Sequence, residues 1–319
     1  MFFPIPQDLF FTKNDPEDIR LGDLFKNFSE TLQADDFAIL GYPDDEGIRL
    51  NGGRVGAALA PDKIRQFLYK MTPPENYYLQ TRKTQFFDYG NLEISSDIGL
   101  RHELAKRALD VLHQSDAKII SLGGGHDYGY ADGASFIKKY FKTFADLPVI
   151  INFDAHLDVR KPSNGLNSGT PFYRLLTEFR NQFKLIEVGL QKQCNSVHHL
   201  RWAQDQGVET FFIDDLEKDG LNILFKQSTL SQLKKTTPVF ISFDIDALTA
   251  AEAGGCSQAW STGLRTSDCI KFLKSVYEKS STKHFGVYEV SPPLDTDFQT
   301  SKTAALLIHH FIFNNYGRG

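Results

Sequence analysis

Three short apolar segments, each followed directly by Asp or His side chains, constrain the fold of this chain more than any other feature. Lys118–Leu122 leads into Gly-Gly-Gly-His-Asp at 123–127, Leu147–Phe153 into Asp-Ala-His-Leu-Asp at 154–158, and Val239–Phe243 into Asp-Ile-Asp at 244–246. Short apolar segments without regular polar alternation are typical of strands that are covered on both faces. Open sheets of parallel strands carry their sites at the carboxyl edge. The pattern therefore predicts ionisable side chains clustered at one edge of a parallel sheet.

The second segment gives the clearest local geometry. Asp154, His156 and Asp158 alternate along the chain, so an extended backbone points their side chains the same way. Ionisable groups at the end of an apolar strand are costly to bury unless an opposite charge compensates them. A divalent metal ion supplies such a charge, and we interpret the triplet as metal ligands.

The three segments together offer two imidazoles and four carboxylates: His126, Asp154, His156, Asp158, Asp244 and Asp246. This set carries too much negative charge for one ion but fits two ions that share carboxylates. A mixed nitrogen and oxygen set without thiolate favours Mn²⁺, with Fe, Co or Zn as alternatives. Taken singly, the Gly-Gly-Gly-His motif is also typical of a flexible loop, the Asp-x-His-x-Asp motif of a helix-capping loop, and the Asp-x-Asp motif of a solvated turn. Their joint occurrence after three strands predicts a hydrolytic centre with two Mn²⁺ ions per chain.

Strand-like and helix-like segments alternate along the rest of the chain, which favours a parallel sheet wound by right-handed crossovers. We predict strands at 36–42, 85–89, 117–122, 147–153, 185–189, 209–213, 238–244 and 284–290. We predict helices at 61–71, 97–115, 127–142, 171–182, 196–206, 215–233, 266–279 and 299–314. The segment from Asp44 to Gly56 is rich in Gly and charge and is predicted to be a loop. We expect one domain over 1–319, with an N-terminal arm at 1–33.

Charge and cysteine content limit the partners. The formal net charge of -5 offers no basic surface for nucleic acid. No apolar run approaches the ~20 residues that a membrane-spanning helix needs, and the N-terminus lacks the basic leader of a signal peptide. Cys194, Cys256 and Cys269 are odd in number and not spaced as metal ligands, which is typical of a reducing cytoplasm. We expect a cytoplasmic protein with a small-molecule substrate and no nucleic-acid or membrane partner, and the sequence leaves a homo-oligomer open.

The three ligand motifs resemble the signatures of the ureohydrolase family, which comprises arginases, agmatinases and formimidoylglutamases. All six metal-ligand positions of that family match, and the resemblance runs from about Phe37 to the C-terminal helix. It implies the arginase-like α/β fold, a three-layer α/β/α sandwich with a mostly parallel sheet of about eight strands. It also implies two Mn²⁺ ions and catalytic roles for two carboxylates. Asp158 would orient the hydroxide nucleophile, and Glu289 would hold the amidinium-type nitrogens of the substrate.

Three positions depart from the pattern of this family. Ala247-Leu248-Thr249-Ala250 stands where the family continues with two residues and Asp-Pro, which leaves the support of that loop open. Gly254-Gly255 replaces a Pro-Gly pair and makes the loop less constrained. Ser168 stands where arginases and agmatinases carry a His, and a Ser cannot shuttle protons near pH 7. The last departure argues against an arginase or agmatinase proper.

Other segments resemble formimidoylglutamases: 45–57, Arg160, and Ser168-Gly169-Thr170-Pro171-Phe172. The substrate of those enzymes has two carboxylates, so its site needs more than one cation, and Arg binds carboxylates bidentately. The candidate substrate-binding residues are Arg49, Arg54, Arg160, Asn167, Ser168 and Glu289. A structural ion pair is the alternative for each arginine, and for Arg160 the partner would be an acid at 44–46.

The expected function is a binuclear manganese hydrolase of histidine degradation that cleaves N-formimino-L-glutamate to L-glutamate and formamide. Two alternatives stay open at this point. The first is a hydrolase of a guanidino compound that releases urea, and the second is a non-catalytic homologue that serves as a binding subunit. A metal-dependent deacylase is a weaker option, because such an enzyme normally uses one Zn²⁺ ion.

Overall fold

One sheet of ten strands runs through the described part of the chain. The fold is taken from a computed structural model, which describes residues 2–28, 32–79, 84–95, 97–141 and 146–317. The strands are β1 (Phe2–Phe3), β2 (Phe25–Asn27), β3 (Phe37–Gly41), β4 (Phe86–Leu92), β5 (Lys118–Leu122), β6 (Val149–Phe153), β7 (Lys184–Leu190), β8 (Glu209–Phe212), β9 (Pro238–Asp244) and β10 (Ser281–Tyr288). The eight strands predicted from the sequence are confirmed as β3 to β10.

The order of the strands decides where the functional segments meet. Eight strands are parallel neighbours in the order β4-β3-β5-β10-β9-β6-β7-β8. The short strands β1 and β2 lie along the outer edge of β4, β1 antiparallel and β2 parallel. The mostly parallel sheet of about eight strands is therefore confirmed. Because β5, β10, β9 and β6 are consecutive neighbours, the segments that follow them meet at the middle of the carboxyl edge.

Helices cover both faces of the sheet. They are α1 (Leu21–Leu24), α2 (Glu46–Leu50), α3 (Ala60–Leu68), α4 (Glu75–Tyr78), α5 (Ile98–Leu112), α6 (Gly129–Tyr140), α7 (Pro171–Glu178), α8 (Val197–Asp205), α9 (Ile213–Asp219), α10 (Leu224–Gln227), α11 (Ala250–Ala253), α12 (Thr266–Lys279) and α13 (Gln299–Asn315). Ile151 belongs to the apolar cluster that includes residues of α3, α12 and α13, whereas its neighbour Ile150 belongs to the cluster that includes residues of α6 and α7. Because successive strand residues face opposite layers, this confirms the three-layer sandwich. Within the described ranges, no helix is long and apolar enough to cross a membrane.

Two local predictions were wrong. The predicted helix at 215–233 is broken, because Gly220 adopts φ +71° and ends α9, after which only short turns and α10 follow. Glycine enters this left-handed region without steric cost. The predicted loop at 44–56 contains the short helix α2. The predicted helix at 127–142 is present as α6, although residue 142 lies outside the described residues.

The N-terminal residues pack against the outer edge of the sheet. Phe10 stacks on Tyr69 at the end of α3, with 5.3 Å between ring centroids, and Phe25 in β2 lies 5.1 Å from the same ring. The backbone N–H of Leu21 donates to the carbonyl of Met71. These contacts fix residues 2–27 beside β4; residues 1 and 29–31 of the predicted arm lie outside the described residues.

Candidate metal centre

The structure brings the six predicted ligands together at the carboxyl edge of β5, β6 and β9. Two groups of side chains each place their ligand atoms within 4.8 Å of one another, and Asp154 belongs to both groups. In the first group, His126 Nδ1 lies 3.0 Å from Asp154 Oδ2 and 3.2 Å from Asp158 Oδ2. Asp244 lies beside this group, with its Oδ2 3.2 Å from the same nitrogen. In the second, His156 Nδ1 lies 3.4 Å from Asp154 Oδ1 and 3.1 Å from Asp246 Oδ2.

The shared carboxylate explains why the two groups form one site. One oxygen of Asp154 faces His126, and the other faces His156. A carboxylate can bridge two ions in this way, one oxygen to each. The arrangement therefore fits two neighbouring cations better than two independent sites.

The polar atoms of the cluster fit a metal ion. His126 is fully buried, and its Nε2 bonds to Ser242 Oγ at 2.9 Å. Its Nδ1 faces the three carboxylates but has no hydrogen-bond partner of acceptable geometry. An imidazole held by its other nitrogen, with a free nitrogen towards carboxylates, is the arrangement of a metal-ligating His. Within the described residues, the ion pairs of these carboxylates involve only the two imidazoles, so the cluster has no Lys or Arg to balance it.

The electrostatics of the cluster also favour the binding of cations. Burial disfavours a charged imidazole, yet the facing carboxylates raise the pKa of His126 and of His156 well above the ordinary value. Burial and the neighbouring Asp154 raise the pKa of Asp158 to about 6. Burial, followed by the charge of Asp246, raises the pKa of Asp244 well above its usual range. All these shifts favour uptake of positive charge, which divalent ions supply without protonation of the ligands.

Short backbone hydrogen bonds hold the ligand loops in place. His156 N–H donates to Asp154 Oδ1 at 2.7 Å, and Asp246 N–H donates to Asp244 Oδ1 at 2.9 Å. Ala155 N–H donates to Asp246 Oδ1 at 3.2 Å and so joins the loop after β6 to the loop after β9. The carboxylates are thereby oriented by the protein's own backbone.

Two of the site residues adopt backbone conformations that are unusual for their type. Asp158 has φ +49° and Glu289 has φ +65°. Positive φ at a residue other than glycine is uncommon and costs of order 1–3 kcal/mol. Both residues were assigned catalytic roles from the sequence resemblance. The structure therefore places a positive φ at both residues for which the resemblance implies a catalytic role.

Glu289 lies directly after β10, beside the first group of ligands. Its Oε1 accepts a hydrogen bond from the backbone N–H of His126 at 3.1 Å. The side chain is largely buried, and burial raises its pKa to about 8. A cationic nitrogen nearby would stabilise the charged form of such a carboxylate.

A cavity of about 400 Å³ opens above the cluster. Asp158, Asp244, Asp246, His156 and Glu289 line its floor. Larger cavities of about 770 and 490 Å³ occur elsewhere in the described structure, but none of the six clustered side chains lines them. The cavity above the cluster is therefore the candidate substrate site.

The structure divides the candidate substrate-binding residues into those that line the cavity and those that do not. Arg160 and Ser168 line the cavity, together with Asn51. Arg49 is exposed and bonds to Glu46, while Arg54 donates to the carbonyls of residues 256 and 257, and neither lines the cavity. Asn167 is also outside the lining, and its Oδ1 accepts the backbone N–H of Gly169 at 3.0 Å.

The loop that departs from the family pattern is well supported. Backbone hydrogen bonds join Thr249 N–H to Leu264 O at 3.0 Å, and Leu264 N–H to Ala247 O at 2.8 Å. Gly255 packs so closely that a Cβ there would lie 2.5 Å from Asp295 Cβ. The expectation of a less constrained loop was therefore wrong, because glycine here permits close packing rather than freedom.

Sequence reasoning missed several residues that shape the site. Asn195 Oδ1 accepts the backbone N–H of Leu157 at 2.8 Å, and its Nδ2 donates to Ala155 O at 2.8 Å, which fixes the ligand loop after β6. Glu187, fully buried in β7, accepts a hydrogen bond from Asn152 Nδ2 at 2.8 Å, just below Asp154. No local pattern marks either residue, because their partners are distant in sequence.

Comparison with known proteins adds independent findings. Residues 35–313 match the model of the arginase family. A formimidoylglutamase of Clostridium tetani is 28% identical over 284 residues, covering 86% of this chain and 82% of its own. A formimidoylglutamase of Legionella pneumophila (strain Paris) is 28% identical over 298 residues, covering 91% of this chain and 89% of its own.

Solved structures agree with these relatives. The formimidoylglutamase of Bacillus subtilis superimposes with a TM-score of 0.84 at 26% identity, over 95% of this chain and 94% of its own. The formiminoglutamase of Trypanosoma cruzi, solved with Mn²⁺, gives a TM-score of 0.81 at 26% identity, over 95% of this chain and 100% of its own.

Proposed function

Because this chain belongs to the arginase family, we propose that it is a hydrolase of a linear amidine that cleaves N-formimino-L-glutamate to L-glutamate and formamide. Its formimidoylglutamase relatives, which the chain matches over most of their length, support this substrate. The six assembled side chains and the cavity above them argue against a non-catalytic binding subunit.

The choice of substrate rests on the position of Arg160 and on its lack of a carboxylate partner in the described structure. Its guanidinium lies at the cavity that the cluster lines, and in the described part of the chain no carboxylate lies within 4.0 Å of it. The acids at 44–46, which were the alternative partners, bond elsewhere: Asp44 to Arg101, Asp45 to the backbone N–H of Gly56, and Glu46 to Arg49. A cation without a counterion beside a substrate cavity suits a substrate that carries a carboxylate.

Two Mn²⁺ ions fit the donor set. His126, Asp154, Asp158 and Asp244 would hold one ion, and Asp154, His156 and Asp246 would hold the other. When bound, the ions supply Lewis acidity that activates water at neutral pH. The manganese of the T. cruzi relative supports this choice of metal.

The side chains of this protein orient the reaction. Asp158 faces the cavity and orients the attacking water, which adds to the formimino carbon. Glu289 binds the amidinium nitrogens, which favour its ionised form over the neutral acid that burial alone would favour. Arg160 binds a carboxylate of the substrate. The C–N bond to the glutamate nitrogen then breaks, and glutamate leaves as the free amine while formamide retains the other nitrogen.

A guanidino acid is the second candidate, because it also carries a carboxylate for Arg160. Ser168 argues against this candidate, because arginases and agmatinases, which act on guanidino compounds, carry a His at that position. The two functions differ in their products, since a guanidino substrate releases urea and a formimino substrate releases formamide.

The test is a product assay on Mn²⁺-loaded protein. The protein is incubated separately with formiminoglutamate, arginine, agmatine and a series of guanidino acids, and both formamide and urea are measured. We expect formamide from formiminoglutamate alone, and no product from the matched Asp158→Asn variant. Release of urea without formamide would contradict the proposed function and favour the guanidino alternative.

We further propose a cytoplasmic location. Cys194, Cys256 and Cys269 are all free thiols, as is usual for proteins of a reducing compartment.

A further inference from the structure

Asn51 contacts Arg160, which is the only arginine among the described residues that line the cavity above the cluster, and links it to the loop that carries Ser168. Arg160 Nη1 donates to Asn51 Oδ1 at 2.6 Å, and Asn51 Nδ2 donates to Ser168 Oγ at 3.0 Å. Both ends of the amide are therefore used, the acceptor for the guanidinium and the donor for the hydroxyl. Asn51 is distant in sequence from both partners, 109 residues from Arg160 and 117 from Ser168.

The backbone around this amide is fixed on both sides. Asn51 follows α2 directly, and its backbone N–H donates to the carbonyl of Gly47 at 3.1 Å. The same carbonyl accepts the backbone N–H of Ser168 at 3.0 Å, while Arg160 N–H donates to Gly169 O at 2.8 Å. A Cβ at Gly169 would lie 2.9 Å from Arg160 Cδ, so the arginine side chain passes closely over that glycine. Backbone hydrogen bonds thus hold the loop after β6 and the segment around α2 in a fixed position relative to each other.

The chemistry of the partner is what matters for function. An amide oxygen holds one N–H of the guanidinium but carries no charge, so it orients Arg160 without neutralising it. A guanidinium has five N–H donors, and the remaining ones stay available for the planar fork that binds a carboxylate. An acidic residue at this position would instead form an ion pair and compete with the substrate.

We propose that Asn51 is a positioning residue that presents the unneutralised guanidinium of Arg160 to a substrate carboxylate, and so makes the site selective for anionic amidines. This inference rests on the proposed function and deepens it. Asn51 acts through Arg160 and does not touch the reacting carbon. The alternative is that the amide only ties two loops together.

Asn51→Asp separates these roles. The Asp retains the size of the side chain and the acceptor for Arg160, but it adds a negative charge and loses the donor to Ser168. We expect the KM for formiminoglutamate to rise by about tenfold or more, which is the loss of one charge-assisted contact, with kcat changed less than about threefold. The kcat/KM for N-methylformamidine, which has no carboxylate, should stay within about twofold. Asn222→Asp makes the same chemical change at an exposed position and is the matched control.

A second pair of variants tests whether Asn51 acts through Arg160. Asn51→Ala should raise the KM for formiminoglutamate severalfold in the wild-type background. It should have no further effect in the Arg160→Ala background, because the group that it orients is gone. Multiplicative effects of the two substitutions on KM would overturn the proposal. Equal losses of kcat/KM on formiminoglutamate and on N-methylformamidine, together with a lower melting temperature, would also overturn it. That is the result expected if Asn51 only holds two loops together.

Calorimetric titration with L-glutamate separates this inference from the proposed function. Weaker binding of L-glutamate to Mn²⁺-loaded Asn51→Asp than to wild type supports the role of Asn51, whether or not formiminoglutamate is turned over. Equal affinity of the two proteins overturns it. Absence of formamide release by the wild type, by contrast, contradicts only the proposed function.

Discussion

Asp154 is the carboxylate that both ligand groups share, so its loss should remove both ions, whereas loss of Asp158 should remove only one. We expect about two Mn²⁺ ions per wild-type chain, about one for Asp158→Asn and close to none for Asp154→Asn. Asparagine retains the size of the side chain and tolerates the positive φ of Asp158. In each variant it removes a negative charge, which at position 154 faces both ligand groups and at position 158 faces only one.

The expected thermal shifts follow from mass action and chain length. At a free Mn²⁺ concentration of 100 times the dissociation constant, each ion adds about 2.7 kcal/mol of stability. An unfolding entropy of roughly 2.1 cal/mol/K per residue gives about 0.67 kcal/mol/K for 319 residues. One ion therefore raises the melting temperature by about 4 °C and two ions raise it by about 8 °C. We expect shifts of about 8 °C for wild type, 4 °C for Asp158→Asn and less than 1 °C for Asp154→Asn.

The assay combines thermal melts with and without Mn²⁺ and metal analysis of the desalted protein. Asp268→Asn, which changes an exposed acid on α12, is the matched control and should behave as wild type. Circular dichroism of the metal-free variants checks that they fold. The reasoning is refuted if Asp154→Asn retains one ion, or if the two variants lose equal shares of the shift.

Three further predictions concern the site and the layer below it. Glu289→Gln should lower kcat by roughly 10²-fold or more, because a neutral amide does not stabilise an amidinium as a carboxylate does, and steady-state formamide release measures this. Burial, followed by the charge of Asp154, raises the pKa of Glu187. The folded state therefore keeps a proton that the unfolded state releases, so the free energy of unfolding falls as pH rises above the ordinary carboxyl pKa. Glu187→Gln should flatten that fall in melts from pH 5 to 8, whereas the exposed control Glu217→Gln should not. In Gly124→Ala, a Cβ would lie 1.7 Å from the carbonyl oxygen of Asp44, so thermal melts should show a loss of about 1–3 kcal/mol and metal analysis should show weaker Mn²⁺ binding.

The metal cluster was predictable because its information is local. Side chains that alternate after a strand point the same way, and parallel strands end at a common edge, so the sequence pattern alone groups Asp154, His156 and Asp158 with His126 and Asp244. The fold places all of these side chains within the same cluster. The eight parallel strands followed from the same kind of local signal.

The break at Gly220 shows the limit of that signal. The segment 215–233 has a helical pattern, but Gly220 within it adopts φ +71° and ends α9. The sequence does not show whether a glycine continues a helix or ends it, because glycine enters the left-handed region without steric cost. The departure at 247–255 was misjudged for a related reason, since a glycine pair in sequence does not reveal whether it gives freedom or permits close contact. Close packing decided the second case, in which Gly255 lies against Asp295.

The residues that we propose to set substrate choice could be identified only from the tertiary structure. In sequence, Arg49, Arg54 and Arg160 are equivalent cations on loops, and each had a structural ion pair as its alternative. In the fold, only Arg160 of these three faces the cavity, and its partner is the neutral amide of Asn51, 109 residues away. A contact between residues so far apart leaves no periodic trace in sequence. The candidate metal ligands therefore followed from local sequence, whereas the proposed substrate contacts depend on which distant loops the sheet brings together.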